Sequence, residues 1–323
     1  MVVGLLCREM RRFIFMMASG HLFQEGSRIM HALLPRLGIF SVYREGVDRE
    51  ALKKAIEILE QARRPLVIFP EGVISRTNDR LGSLMDGLSF IARTAAKHRA
   101  AATPAGEVVV HPIALRYYFR GDLTASLNPV LDNIERRLCW RPQGSQPLIA
   151  RITKVGQALL TLKEIEYLGQ AQVGETRRRI ELMTDHLLTP LEREWLKGAH
   201  EGDVVARVKQ LRIAILRDMI HGDITMDERT RRRKQLEDLD FAQVLHFFPP
   251  DYLGDSPTPE RLMETVERYE EALIDRTTVH RPLHVVITVG EAIKVSPTRD
   301  RSAQTDPLMK QLREQLESML GLL

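Results

Sequence analysis

Apolar residues in the first third of the chain alternate between helical spacing and short continuous runs. Residues 51–59 carry apolar side chains at helical spacing, and Asp48 stands at the N-cap position before them. Residues 66–69 form a continuous apolar run, which is typical of a strand buried on both faces. A polar loop follows from about residue 70 to 82. This part of the chain therefore predicts a helix, a strand and a loop.

A second helix and a second strand follow that loop. Apolar residues at helical spacing between 84 and 95 predict the helix, and residues 108–115 predict another buried strand. Strands that alternate with helices indicate parallel pairing, because the helix carries the chain back across the sheet. We expect an α/β fold with a mostly parallel sheet flanked by helices.

The middle of the chain, from about 122 to 280, is more charged and has helical periodicity almost throughout. Residues 204–219 and 262–273 mark two of its amphipathic helices. We find no internal repeat in this hydrophobic pattern. The middle region is predicted to be a large helical insertion before the last strand of the sheet.

The end of the chain returns to α/β character. Residues 283–289 alternate as a strand does, and residues 307–320 predict a closing helix. We therefore divide the chain into three parts: a core over 1–121, a helical insertion over 122–280, and a last strand and helix over 281–323 that rejoin the core.

Composition narrows the class of protein only a little. The chain is 44% hydrophobic and 28% charged, with a net charge of +4. That charge suits an enzyme of phosphorylated substrates or a protein on an anionic bilayer. Cys7 and Cys139 predict neither a metal site nor a disulfide framework. No apolar run approaches the roughly 18 residues of a membrane span. Residues 5–23, which mix arginines with apolar residues, fit an interfacial helix or a buried core helix.

The sequence Phe-Pro-Glu-Gly at residues 69–72 ends the first predicted strand. Ligands of open α/β sheets bind at the carboxyl ends of strands, and Gly72 lets backbone approach a ligand closely. Arg76 can hold a phosphate, and Glu71 can orient that arginine or accept a hydrogen bond from a substrate hydroxyl. The alternative interpretation is a solvated loop in which both residues are only surface groups.

The order of these motifs resembles the glycerolipid acyltransferases, and the lysophosphatidate acyltransferase family in particular. Residues 38–44 are similar to the second motif, residues 69–76 to the third and residues 111–115 to the fourth, while Gly87 fits the glycine after the third motif. The family usually has Thr and Arg where residues 73 and 74 are Val and Ile. The resemblance implies that substrate is bound by Arg44, Phe69, Pro70, Glu71, Gly72, Ser75 and Arg76.

The family's catalytic motif, His-x-x-x-x-Asp, is expected upstream of Met1, so no catalytic residue is visible and we expect the chain to be truncated at its N-terminus. Its histidine takes the proton of the acceptor hydroxyl, and its aspartate orients the imidazole. One match, from His246 to Asp251, lies in the helical region. Two prolines between these residues prevent a regular helical turn, so we interpret it as a coincidence.

The resemblance implies transfer of a fatty acyl group from acyl-CoA or acyl carrier protein to a lysophospholipid, with 1-acylglycerol 3-phosphate as the expected acceptor, in phospholipid biosynthesis. It implies no metal or organic cofactor and no nucleic acid. We expect a cytoplasmic protein, peripheral on the inner face of the membrane. Two alternatives remain open: a non-catalytic lipid- or acyl-carrier-binding relative without the His-Asp base, and acyl transfer to another polar lipid or an amine.

Overall fold

A computed structural model describes residues 2–19, 33–42, 48–198, 202–222, 224–247, 249, 251–299 and 305–322. Its helices are α1 (Val2–Met10), α2 (Arg49–Gln61), α3 (Gly87–Ala101), α4 (Leu123–Arg137), α5 (Leu148–Leu168), α6 (Thr176–Leu196), α7 (Val204–His221), α8 (Met226–Phe247), α9 (Pro259–Ile274) and α10 (Pro307–Leu320). Its strands are β1 (Phe15–Ser19), β2 (Ile39–Val42), β3 (Leu66–Val67), β4 (Val109–Val110), β5 (Ile113–Phe119), β6 (Leu283–Val289) and β7 (Ile293–Lys294).

The chain forms two compact units. The first comprises residues 1–74, 79–114 and 287–323, and the second comprises residues 75–78 and 115–286. These limits differ from the sequence-based boundaries at 122 and 280, and the three-part domain organisation stays a prediction. Among the described residues, we find no helix that is both long and apolar enough to cross a membrane.

The first unit is built on a parallel sheet of three strands in the order β2-β1-β3. Met16, in the central strand, pairs with Ile39 on one side and with Val67 on the other. The predicted α/β class is therefore confirmed. The expectation of one helix across residues 5–23 is wrong, because α1 ends at Met10 and β1 follows it. Two neighbouring strands take up the backbone hydrogen bonds of β1, and local periodicity does not reveal such partners.

Helices α2 and α3 pack beside this sheet. Asp48 caps α2 by accepting a hydrogen bond from the N–H of Ala51 at 2.9 Å, as predicted. The apolar face of α2 and part of α3 join the sheet in one core, whose buried members are Phe40, Ala51, Ala55, Ile58 and Ile91. A second core joins α3 to α10 through Ala92, Ala95, Leu308, Leu312 and Leu316, among others. The closing helix therefore belongs to the same unit as the sheet.

Two predicted strands have other limits in the structure. The first, over residues 66–69, is only Leu66–Val67, because the chain turns immediately afterwards. The second, over residues 108–115, is divided at Pro112, which has no N–H to donate to a strand ladder. Its first part, β4, pairs antiparallel with β7, and its second part, β5, pairs with β6.

The second unit is predominantly helical, with α4 to α9 around two apolar cores. One core includes the fully buried residues Leu127, Leu131, Ile134, Ile152 and Val155, and the other includes Met183, Leu188, Leu211, Ile215 and Leu239. The helical periodicity that we interpreted over residues 204–219 and 262–273 is confirmed by α7 and α9.

This unit contains an internal repeat, so the expectation of none is wrong. Helices α5, α6 and α7 begin 28 residues apart, and the fourth residue of each is an arginine: Arg151, Arg179 and Arg207. Each arginine forms an ion pair with a glutamate of the preceding helix, and these partners are Glu135, Glu164 and Glu192. The hydrophobic pattern hides the repeat because its most constant position is a charged one.

Candidate functional site

The residues Phe69 to Gly72 form a tight turn just after β3. The N–H of Gly72 donates to the carbonyl of Phe69 at 3.2 Å, and the N–H of Met85 donates to the carbonyl of Pro70 at 2.8 Å. Gly72 has a φ of +68°, and a Cβ built there would lie 2.1 Å from the sulfur of Met85. Only glycine fits this position without a shift of its neighbours. Phe69 itself is 50% exposed.

Glu71 is half-buried and held in place by backbone. Its Oε2 accepts a hydrogen bond from the N–H of Gly82 at 3.0 Å, and Arg313 donates to the carbonyl of Gly82 at 2.7 Å. Burial raises the pKa of Glu71, while the Gly82 N–H and the Arg313 charge act in the opposite direction. Within the described residues, Oε1 accepts no hydrogen bond. Glu71 thus has one oxygen fixed and one available to a hydroxyl donor.

The first position of the second motif, Gly38, also requires a glycine. Gly38 has a φ of +86°, and a Cβ built there would lie 2.7 Å from the carbonyl oxygen of Ile14. The carbonyl of Gly38 accepts the N–H of Met16 at 3.0 Å, so the glycine sits where the chain enters β2. Arg44, at the end of this motif, lies outside the described residues.

Ser75 and Arg76 belong to the second unit and are held there by α9. The carbonyl of Ser75 accepts a hydrogen bond from Arg268 at 3.3 Å. Arg76 forms an ion pair with Glu271, and its backbone has a φ of +58°, which is uncommon for a residue with a side chain. Two residues on, Asn78 bonds both the N–H and the carbonyl of Tyr117, at 2.7 and 2.8 Å.

The charges around Arg76 come from one helix. Glu267 lies one turn before Glu271 on α9, and its pKa is raised to about 7. Burial is the main cause, Arg76 opposes it, and the charges of Glu270 and Glu271 add to it. The carboxylate of Glu270 accepts hydrogen bonds from the N–H and the hydroxyl of Thr278. Arg76 therefore lies near both the carboxyl group of Glu267 and the guanidinium of Arg268, and it contacts the carboxylate of Glu271.

The structure places the residues of the third motif in two groups. Phe69, Pro70, Glu71 and Gly72 form one turn in the first unit, whereas Ser75 and Arg76 are joined to α9 in the second. Sequence reasoning missed Gly82, Arg313, Arg268 and Glu271. Contacts between residues 195 or 231 positions apart, as in the pairs of Arg76 with Glu271 and of Arg313 with Gly82, leave no signal in local spacing.

The downstream His-x-x-x-x-Asp match does not form a pair. His246 lies in the last turn of α8, and the carboxylate of Asp251 lies 3.3 Å from Arg177. Within the part of the chain that the structure describes, no hydrogen bond joins His246 to Asp251. Nothing in this geometry resembles an imidazole oriented by an aspartate.

Comparison with protein-family models finds a match over the first part of the chain. Residues 1–116 match the family model described as Acyltransferase, and this segment includes the three predicted motifs. The predicted resemblance is confirmed at the level of that family. No curated protein and no solved structure matches the chain.

Proposed function

We propose, because residues 1–116 match the acyltransferase family model, that this protein transfers a fatty acyl group from acyl-CoA or acyl carrier protein to the free hydroxyl of 1-acylglycerol 3-phosphate. The observation that carries the proposal is the Phe-Pro-Glu-Gly turn inside the matched segment, with Glu71 held by the Gly82 N–H. In the reaction, the hydroxyl oxygen forms a bond to the thioester carbon and the carbon–sulfur bond breaks. The hydroxyl proton passes to a base, and the thiol leaves protonated.

On this proposal, Arg44 and Arg76 bind the phosphate of the acceptor, and Glu71 organises the hydroxyl-bearing part. A guanidinium binds phosphate well because its N–H groups donate two parallel charge-assisted hydrogen bonds. The side chain of Arg76 is 47% exposed, which supports access by a ligand. Phe69, Pro70, Gly72 and Ser75 would shape the backbone around the acceptor.

The protein would work on the inner face of a membrane as a peripheral protein, since its acceptor and product both reside in the bilayer. The net charge of +4 supports attraction to an anionic surface. A peripheral position would let the protein reach its lipid acceptor from one side of the bilayer.

The test is an acyl-transfer assay on protein purified from its own cells. Acyl-CoA or acyl carrier protein is supplied with 1-acylglycerol 3-phosphate, and phosphatidate is measured by mass spectrometry. We expect phosphatidate, and much less product from 1-acylglycerol, which lacks the phosphate. Arg44→Ala and Glu71→Ala should each raise the KM for the acceptor and leave the KM for the donor unchanged. Unchanged kinetics in both variants would show that Arg44 and Glu71 do not bind the acceptor.

A second candidate function is binding without turnover. It is favoured by one observation: within residues 1–116, none of the histidines His21, His31, His98 and His111 begins a His-x-x-x-x-Asp sequence. Loss of a catalytic member in triad-type enzymes costs about four orders of magnitude in rate. Binding of 1-acylglycerol 3-phosphate without any phosphatidate would support this candidate over the first.

A further inference from the structure

The partner of Arg76 comes from a helix outside the family match. Glu271 lies near the C-terminal end of α9, and its carboxylate forms an ion pair with the Arg76 guanidinium. The two side chains are 29% and 47% exposed, so water and small ions reach the pair. Exposed ion pairs contribute little to stability, which makes exchange of one anion for another inexpensive.

An anion that binds Arg76 must replace Glu271, because the neighbouring Glu270 and Arg268 are engaged with other groups. Glu270 is bonded to Thr278, and Arg268 donates to the carbonyl of Ser75, which fixes the backbone just before Arg76. The backbone beside Arg76 is thus held independently of the ion pair. Removal of the Glu271 charge would therefore free the N–H groups of Arg76 without releasing the segment that carries it.

We propose that Glu271 is the counter-ion that an anionic ligand must replace at Arg76, and that a doubly charged phosphate group displaces it more readily than a singly charged anion does. This inference rests on the proposed function, in which Arg76 binds the phosphate of the acceptor. The physical reason is competition. A singly charged carboxylate from solution offers Arg76 no more charge than Glu271 already does, whereas a phosphate dianion offers twice as much.

The probe is glycerol 3-phosphate, which carries the phosphate but forms no micelles, and acetate is the singly charged comparison. Binding to the full chain is measured by calorimetry for the wild type, Glu271→Gln and Arg76→Ala. The control is Glu314→Gln, which removes the same charge from an exposed glutamate paired to Lys310. We expect Glu271→Gln to tighten glycerol 3-phosphate binding about fivefold, as for loss of one exposed pair. The control should change binding little.

The direction of the effect separates this role from a structural one. A residue that only held Arg76 in position would weaken binding when changed, whereas a competing counter-ion strengthens it. Acetate binding should gain by a similar factor in Glu271→Gln, because either anion then binds without breaking the ion pair. Glu271→Ala provides a second variant with the same expected direction, and thermal denaturation confirms that each variant is folded.

The outcomes also separate this inference from the proposed function. If Arg76→Ala abolishes glycerol 3-phosphate binding while Glu271→Gln and Glu271→Ala leave it unchanged or weaker, the inference is overturned and the role of Arg76 stands. If Arg76→Ala has no effect on binding, the phosphate role of Arg76 fails, and the inference fails with it. Tighter binding in both Glu271 variants, lost again when Arg76→Ala is added, supports both.

Discussion

The guanidinium of Arg179 donates two hydrogen bonds of 2.7 Å to the carboxylate of Glu164 and so joins the first turn of α6 to the end of α5. The side chain of Glu164 is completely buried. Burial alone would raise the pKa of this carboxyl group, but the hydrogen bonds from Arg179 and from the N–H of Gln172 hold it below its ordinary value. The pair therefore stays ionised inside the helical unit.

Loss of Arg179 should strongly destabilise the helical unit. Arg179→Met leaves the carboxylate of Glu164 buried without its counter-ion, and we expect a loss of roughly 3–5 kcal/mol in the free energy of unfolding. Urea denaturation followed by circular dichroism measures the loss. The double variant Arg179→Met with Glu164→Leu should recover most of it, because no charge is then left unpaired.

An exposed ion pair within α5 provides the control. Lys163 and Glu166 lie 2.8 Å apart at the surface of α5, and Lys163→Met should cost less than about 1 kcal/mol. Equal losses for Lys163→Met and Arg179→Met would show that burial of the Arg179–Glu164 pair has no energetic consequence.

Gly72→Ala should disturb the turn at the candidate site. The added methyl group would meet the sulfur of Met85, and alanine is strained at a φ of +68°. We expect a loss of roughly 1–3 kcal/mol in thermal or urea denaturation. Gly87→Ala is the matched control, since nothing lies within 4 Å of a Cβ built there and the residue begins a helix. A Gly72→Ala protein as stable as Gly87→Ala would contradict this account of the turn.

Glu267→Gln should stabilise the protein at alkaline pH. The pKa of Glu267 is raised to about 7, so the folded protein must ionise a partly buried carboxyl group as the pH rises, whereas the unfolded chain ionises it near pH 4.5. The penalty is absent below about pH 4.5, grows between about pH 4.5 and 7 and is complete above pH 7. The Tm difference between Glu267→Gln and wild type should therefore be positive at pH 8 and shrink toward pH 5. A difference independent of pH would argue against it.

Asp306→Asn should have the opposite pH dependence. Hydrogen bonds from Arg93 hold the pKa of Asp306 below its ordinary value against the effect of burial, and the N–H of Leu308 adds to them. This carboxylate stabilises the folded protein above pH 3.8, and that contribution is lost as the pH falls through the lower folded pKa. The variant should be less stable than wild type at pH 7, with the gap closing toward pH 3. Denaturation curves across this range measure it, and a constant gap would exclude an ionised partner for Arg93.

Features with local causes were predictable from the sequence. The bounds of α2 follow from Asp48 and the apolar spacing after it, and α10 covers the same residues as predicted, Pro307–Leu320. Strand β1 was missed because it is a strand only through its neighbours on both sides, which come from distant parts of the chain. At the candidate site the turn at Gly72 was visible, since it needs a residue without a side chain. The partner of Arg76 was not, because Glu271 follows 195 residues later.

Helices α5, α6 and α7 begin at a constant spacing of 28 residues, and each is joined to the helix before it by one arginine–glutamate pair. A gene segment encoding 28 residues could therefore be duplicated in place, and the new copy would bring both its own arginine and the glutamate for the next. Stacks of this kind gain stability mostly from neighbouring units, so growth by duplication keeps every interface intact. An insertion of a few residues inside such a segment would instead shift the arginine out of reach of its partner.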